Sequence, residues 1–394
     1  MARPITYGRS YPGPAFLSYG FRPLFFAAAL FAGVALPLWA LLLAGGAAPG
    51  FVSLPWHAHE MVFGYLGAVI GGFLLTAIPN WTGRLPVSGA RLAALVALWL
   101  AGRIAMALGG ADILSPATEA AIDLLYPVAL AAAAVREIAA GSGRHNWPVV
   151  GLIGIFAGAD ALHHLAGWTG LDPLLGARLA LATAGTLITV IGGRIVPSFT
   201  HNWLAKRPGG AFPLPFGAID VAAIALTALG LFGWAVFPVL TACGIALALA
   251  ASAQAVRLAR WQGWRTISEP LLAVLHLGYA WLVAALALMA AAILLPGQVD
   301  PAAAMHALAA GAIGVMTVAV MTRATLGHTG RALTADGGTI AIYALINLGA
   351  ALRVAAGWLP GEPGAATATA GAIWSLGFLL FAAKYGRYLF QPRL

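Results

Sequence analysis

Twelve long apolar runs constrain this chain more than any other feature. With loose edges they cover residues 22–45, 57–80, 88–109, 116–139, 147–168, 175–197, 215–236, 238–259, 270–295, 302–325, 337–358 and 365–389. Each is close to the ~20 residues that an α-helix needs to cross a bilayer. Backbone amides in lipid must be satisfied within their own segment, so the runs can only be helices. Short connections join them, and only 8% of the 394 residues are charged against 61% hydrophobic. The expectation is an all-α integral membrane protein with about 12 transmembrane helices, residues 1–394 forming a single polytopic domain. The division between the seventh and eighth runs rests only on "GWAVFPV". The 49 glycines suit close helix packing. Cys243 is the one cysteine, which rules out an intrachain disulfide and a cysteine-based metal site. The start, "MARPITYGRSYPGPAF", lacks the apolar core of a signal peptide, so the first span is expected to be retained.

The net charge of +9 is spread through short connections, which points to membrane topology and not to a nucleic-acid partner. With the N-terminus placed inside, 18 of the 21 Lys and Arg fall on one side. They occupy the N-terminal tail (Arg3, Arg9), the connections after even-numbered spans (Arg84, Arg144 and Arg207 among them) and the C-terminal end. Only Arg103, Arg178 and Arg353 lie in or near the other half. The positive-inside rule then sets both termini in the cytoplasm.

Three helix ends resemble one another: "TAIPNWTGR" (76–84), "RIVPSFTHN" (194–202) and "RATLGHTGR" (323–331). Aligning Thr82, Thr200 and Thr329 gives offsets of 118 and 129 residues and ends the second, sixth and tenth spans. That register sets His59 opposite His306, with Ala177 as the third member, and brings Arg103 within a helical turn of equivalence with Arg353. It implies three four-helix units, about 22–139, 147–259 and 270–389, around a pseudo-threefold axis.

Sorted by depth, His57 and His59 begin the second span, His163 and His164 lie near the end of the fifth, and His306 begins the tenth. Five histidines therefore share the outer half. His201, His276 and His328 lie toward the inner side, and His145 in an inner loop. Imidazole is the common protein ligand of haem iron and copper, so the outer group suits a haem with a second metal, and the inner three suit another site. A first assignment gives the iron to His59 and His306. His57 and His164 then serve a second metal or stand beside it. His57 and His59 point about 200° apart on a helix, and His163 and His164 about 100°, so neither pair need share a site. Arg103 and Arg353, in apolar spans, suit the anionic propionates of a haem. Asp160, one turn before His163 and His164, can orient an imidazole. Glu60 has several readings: it neutralises Arg103 or Arg353, caps the helix start, or passes protons to a buried site with Asp160. No CxxCH stretch occurs, which excludes covalent haem and leaves haem b held by histidine. Walker, GxSxG and HExxH patterns are also absent.

With "PWHAHEMVFGYLGAVIGGFLLTAIPNWTG", "GGRIVPSFTHNW" and "MTRATLGHTGR" assembled, the chain resembles the NnrS family, from "FRPLFF" (21–26) to the C-terminal span. The resemblance implies a bacterial inner-membrane protein that binds haem and copper and is associated with denitrification and nitric oxide resistance. It also implies that His57, His59, Glu60, His306, Arg323 and His328 belong to characteristic segments. A weaker architectural resemblance is to haem-copper oxidases and respiratory nitric oxide reductases. These too have twelve spans in three arcs and bind haem through histidines on the second and tenth. The chain departs from them in having no histidine pair on the seventh span. Its His306 and His328 are also 22 residues apart, about 33 Å along a helix, too far for one haem.

The expected function is a haem-dependent nitric oxide reductase, two NO giving N2O with protons and electrons. It would carry one or two haem b groups, with copper as a further metal and a quinol or small redox protein as electron donor. The alternatives are a non-catalytic haem and copper protein that senses or buffers NO, and a transporter of a small solute or metal.

Overall fold

The computed structural model describes residues 11–207, 209–359 and 363–394. Arg3 and Arg9 of the charge-rich side lie outside the described residues, as does the side chain of Arg144. Twelve helices are long and apolar enough to cross a membrane. In chain order they are α1 (Phe21–Leu43), α2 (Leu54–Thr82), α3 (Ala90–Gly110), α4 (Pro116–Ala139), α5 (Trp147–Thr169) and α6 (Leu175–Leu204). The rest are α7 (Ala218–Val236), α8 (Thr241–Ala259), α9 (Pro270–Leu294), α10 (Pro301–His328), α11 (Gly337–Trp358) and α12 (Gly364–Phe390). No strand occurs among the described residues.

Local chemistry fixes several starts. Ser53, Ser115 and Asp300 each accept a backbone N–H of the first turn, and a proline follows each in that turn of α2, α4 and α10. Asp336 caps α11 through the Thr339 amide. The division between α7 and α8 falls at Phe237–Leu240, where Pro238 cannot continue the helix.

α2, α6 and α10 run longer than the apolar runs that located them, to 29, 30 and 28 residues. Pro79 and Pro197 lie inside the last turns of α2 and α6 without ending them. These three helices form the centre: their most apolar windows are 83%, 61% and 72% buried, against 33–39% for the other nine. Tyr65 of α2 shares a hydrogen bond of 2.6 Å with Thr317 of α10 across that centre. The nine outer helices pack around it, and α12 lies against both α11 and α1. Leu100, Ile104, Leu229 and Leu249 remain exposed on outer helices, as a lipid-facing surface requires.

Each central helix also carries a π-helical segment: Glu60–Leu66 in α2, Ile188–Gly192 in α6 and Ala307–Ile313 in α10. The first and third are 247 residues apart at both ends, the same offset as Thr82 to Thr329. The segment of α6 begins ten residues later than its offset would place it. Thr82, Thr200 and Thr329 each donate to the carbonyl four residues before, at 2.8, 2.9 and 2.5 Å. A π segment rotates the faces on either side of it and frees a backbone carbonyl. In α6 the carbonyl of Thr189 is taken by the fully buried Arg257 (2.8 Å), which also binds Asp220 (2.7 Å) and the Tyr279 hydroxyl (2.9 Å).

Candidate functional site

The five histidines of one half divide between two sites on either side of α2. Ser53 and Pro55 start α2, and His57 and His59 follow within its first turns before the π segment opens at Glu60. Two residues apart on a helix, the imidazoles leave on nearly opposite faces. His59 turns toward α4 and α5, and His57 toward α1 and α10.

His59 is fully buried among charged groups. Its Nδ1 donates to Glu60 Oε1 at 3.1 Å, and its Nε2 lies 3.0 Å from both Asp160 Oδ1 and Asp123 Oδ2. His164 Nε2 is 3.0 Å from the same Asp123 oxygen and 4.0 Å from Asp160 Oδ1. Arg103 of α3 donates to Glu60 Oε1 at 2.7 Å and to the other oxygen of Asp123. Gly102 makes that approach possible, because a Cβ there would stand 2.5 Å from Asp123 Oδ1. The His163 ring centre is 4.8 Å from that of His59, and its Nδ1 is buried without a hydrogen-bond partner. The second oxygen of Glu60 is likewise unpartnered. Of the readings open to Glu60, the structure shows the ion pair with Arg103, and Asp160 orients His59 across the helix interface. Arg103 stands in this cluster and not beside Arg353. Asp123 was missed by sequence reasoning. Its signal was nonetheless there, since it is an ionisable residue inside an apolar span, a placement that is functional by default.

On the other face of α2 lies a cavity of about 510 Å³ between α1, α2, α6, α10, α11 and α12. His57, His306, Arg178 and Arg353 line it, with Trp39 and Trp374 among its apolar walls. The His57 ring stacks on Trp39 at 4.9 Å and 12°. His306 donates from Nδ1 to its own helix, at Ala302 O (2.7 Å), which leaves Nε2 as a lone-pair donor. Arg178 is held by Ala235 O and Asp172 (2.9 and 2.7 Å), whereas Arg353 has no hydrogen bond or ion pair among the described residues. His59 and His306, expected to share the iron, are therefore not brought together. His57 shares the cavity with His306, because Asp123 and Asp160 draw His59 to the opposite side.

The inner three histidines do not meet. His328 lines a second cavity of about 450 Å³, with Arg194, Arg323, Asn80 and Trp81. Its ring lies 5.5 and 5.6 Å from those of Tyr19 and Phe21. His276 is hydrogen-bonded to the Thr200 hydroxyl (2.8 Å), and His201 is exposed against Phe212 (4.7 Å).

A twelve-helix membrane bundle with a histidine- and arginine-lined cavity beside a buried carboxylate–histidine cluster defines a polytopic membrane protein whose interior is equipped to hold ligands. No curated protein matches the chain. The family model described as NnrS protein matches residues 15–393. The chain belongs to the NnrS family, which is linked to nitric oxide metabolism and resistance.

Haem and copper are the groups expected from the sequence resemblance, and the two sites differ in how their donors suit them. The larger cavity fits haem by its donors: an imidazole with its tautomer fixed, a second imidazole, apolar walls and an unpaired guanidinium for a carboxylate. Copper(I) prefers soft donors, which the same cavity offers in the thioethers of Met61 and Met305 beside His57 and His306, whereas the dense donor cluster found among the described residues is half carboxylate.

Proposed function

We propose that this protein reduces nitric oxide at a haem b in the α2–α10 cavity: 2 NO + 2 e⁻ + 2 H⁺ → N2O + H2O. The single observation that carries the reading is the convergence of His57, His306, Arg178 and Arg353 on one cavity. When bound, the haem supplies an iron that takes NO and passes electrons to it. His306, its ring fixed by Ala302 O, would hold the haem iron. His57, braced on Trp39, is the second imidazole available to the bound gas. Arg353 and Arg178 would hold the propionates.

Protons come from the neighbouring cluster. Glu60 leads, with one oxygen unpartnered, and Asp160 stands behind it across His59. Electrons come from a quinol or a small redox protein. The second cavity, with His328 between Arg194 and Arg323, is where such a donor or a second haem would be received. The charge asymmetry of the connections supports a bacterial inner membrane with both termini cytoplasmic.

Purified protein, haem-replete and given a reductant, should show a Soret band, consume NO over many turnovers and release N2O. Stoichiometric NO binding with no N2O would replace catalysis by NO buffering or sensing. Lack of a Soret band after haem loading would overturn the haem reading and leave transport.

A further inference from the structure

We infer that His59, His164, Asp123 and Asp160 form a second metal centre, separate from the large cavity, that takes a divalent first-row ion of the iron(II), manganese or zinc kind. The inference does not depend on whether the large cavity turns over nitric oxide. Four ligand atoms, one from each residue, lie within 4.8 Å of one another. Ligands about 2.0–2.1 Å from a shared ion stand roughly 2.9 Å apart in octahedral and 3.3 Å in tetrahedral geometry. Of the six edges here three are 3.0 Å and one is 4.0 Å, with the other two inside 4.8 Å, so the short edges match those values and the wider ones close by small side-chain movements.

Charge gives a second reason. Glu60, Asp123 and Asp160 are three carboxylates, and Arg103 is their one guanidinium partner, so with neutral imidazoles the cluster carries a formal charge of −2. At this depth that charge is costly unless balanced, and a divalent ion balances it.

The surrounding bonds are those of a supported site. Arg103 holds one oxygen of Asp123 and leaves Oδ2 toward the histidines. Glu60 accepts the Nδ1 proton of His59, which turns Nε2 into the ligand atom. His163, with Nδ1 buried and unpartnered beside His59, is positioned to add a further donor. Carboxylate–imidazole sets suit iron(II), manganese and zinc, whereas copper(I) prefers sulfur. With the ion bound, Asp160 is committed to it and Glu60 alone remains for protons.

The test uses the full chain in detergent with its haem, stripped of other metals and titrated with cobalt(II) as an optical stand-in for the native ion. One cobalt per chain with visible d–d bands is expected. D123N and H164Q should weaken binding at least ~10-fold while the Soret band stays as in the parent. D160N replaces either variant that fails to fold. Metal analysis of protein as isolated should find iron beyond the haem, manganese or zinc. Three outcomes overturn the inference: no cobalt, manganese or zinc bound by the parent protein, which makes the cluster a set of ion pairs charged through imidazolium; binding that the folded variants leave unchanged; or uptake of copper alone.

Discussion

His57 and His59 are separated by one alanine, yet they serve different interiors. Replacing each in turn is therefore informative. His306→Ala should lose most of its haem, because the ring fixed by Ala302 O is gone. His59→Ala should keep haem at the parent level, since its imidazole does not line the cavity. His57→Ala should keep haem but change its NO-bound spectrum. Pyridine haemochrome content and absorption spectra read all three, and full haem in His306→Ala would sink the assignment. In the cluster, Arg103→Met removes the one cation facing Glu60 and Asp123. Stripping one partner from a buried pair costs about 3–5 kcal/mol, so a clear fall in melting temperature in detergent is expected. An unchanged melt would show that another ion carries the balance. Much at this scale was legible beforehand. The sequence marked Glu60, Asp160 and Arg103 as polar groups at membrane depth, and the ~200° between His57 and His59 separated them. Which side each took was not legible, because that depends on Asp123 and Asp160 arriving from α4 and α5, contacts more than 60 and 100 residues away in the chain.

Among the elements, apolar length located all twelve helices, including the division at Pro238 that only "GWAVFPV" hinted at. It under-read α2, α6 and α10, whose polar last turns continue past Pro79 and Pro197. The π segments left no trace in hydropathy, since their residues are as apolar as their neighbours. Close approach between helices can be tested within α5. Gly176 of α6 sits where a Cβ would be 2.5 Å from Ala159 O and 2.7 Å from the His163 amide, both backbone atoms of α5. Gly176→Ala should therefore cost about 1–3 kcal/mol by forcing those helices apart, and should disturb the cluster carried by α5. Gly154, on the exposed face of α5, meets nothing within 4 Å. Gly154→Ala should melt no lower than the parent. Equal effects of the two substitutions would contradict this packing.

For the whole molecule, an even number of spans places both ends on one face. Alkaline phosphatase fused after Gly170, in the α5–α6 connection, should be active, and a fusion at the C-terminus inactive. A fluorescent protein at the C-terminus should give the converse. The opposite pattern would invert the orientation argued from charge. The packing of α12 on α1 has a consequence for biogenesis. Arg22, at the start of the first helix, is bound by the carbonyls of Leu389 and Gln391 at 2.7 Å each, beyond 360 residues of intervening chain. While the ribosome is still at work, the flank of α1 waits without its permanent neighbour, and its arginine waits without acceptors. A chain released before α12 leaves that flank of α1 uncovered and Arg22 without the carbonyls of Leu389 and Gln391.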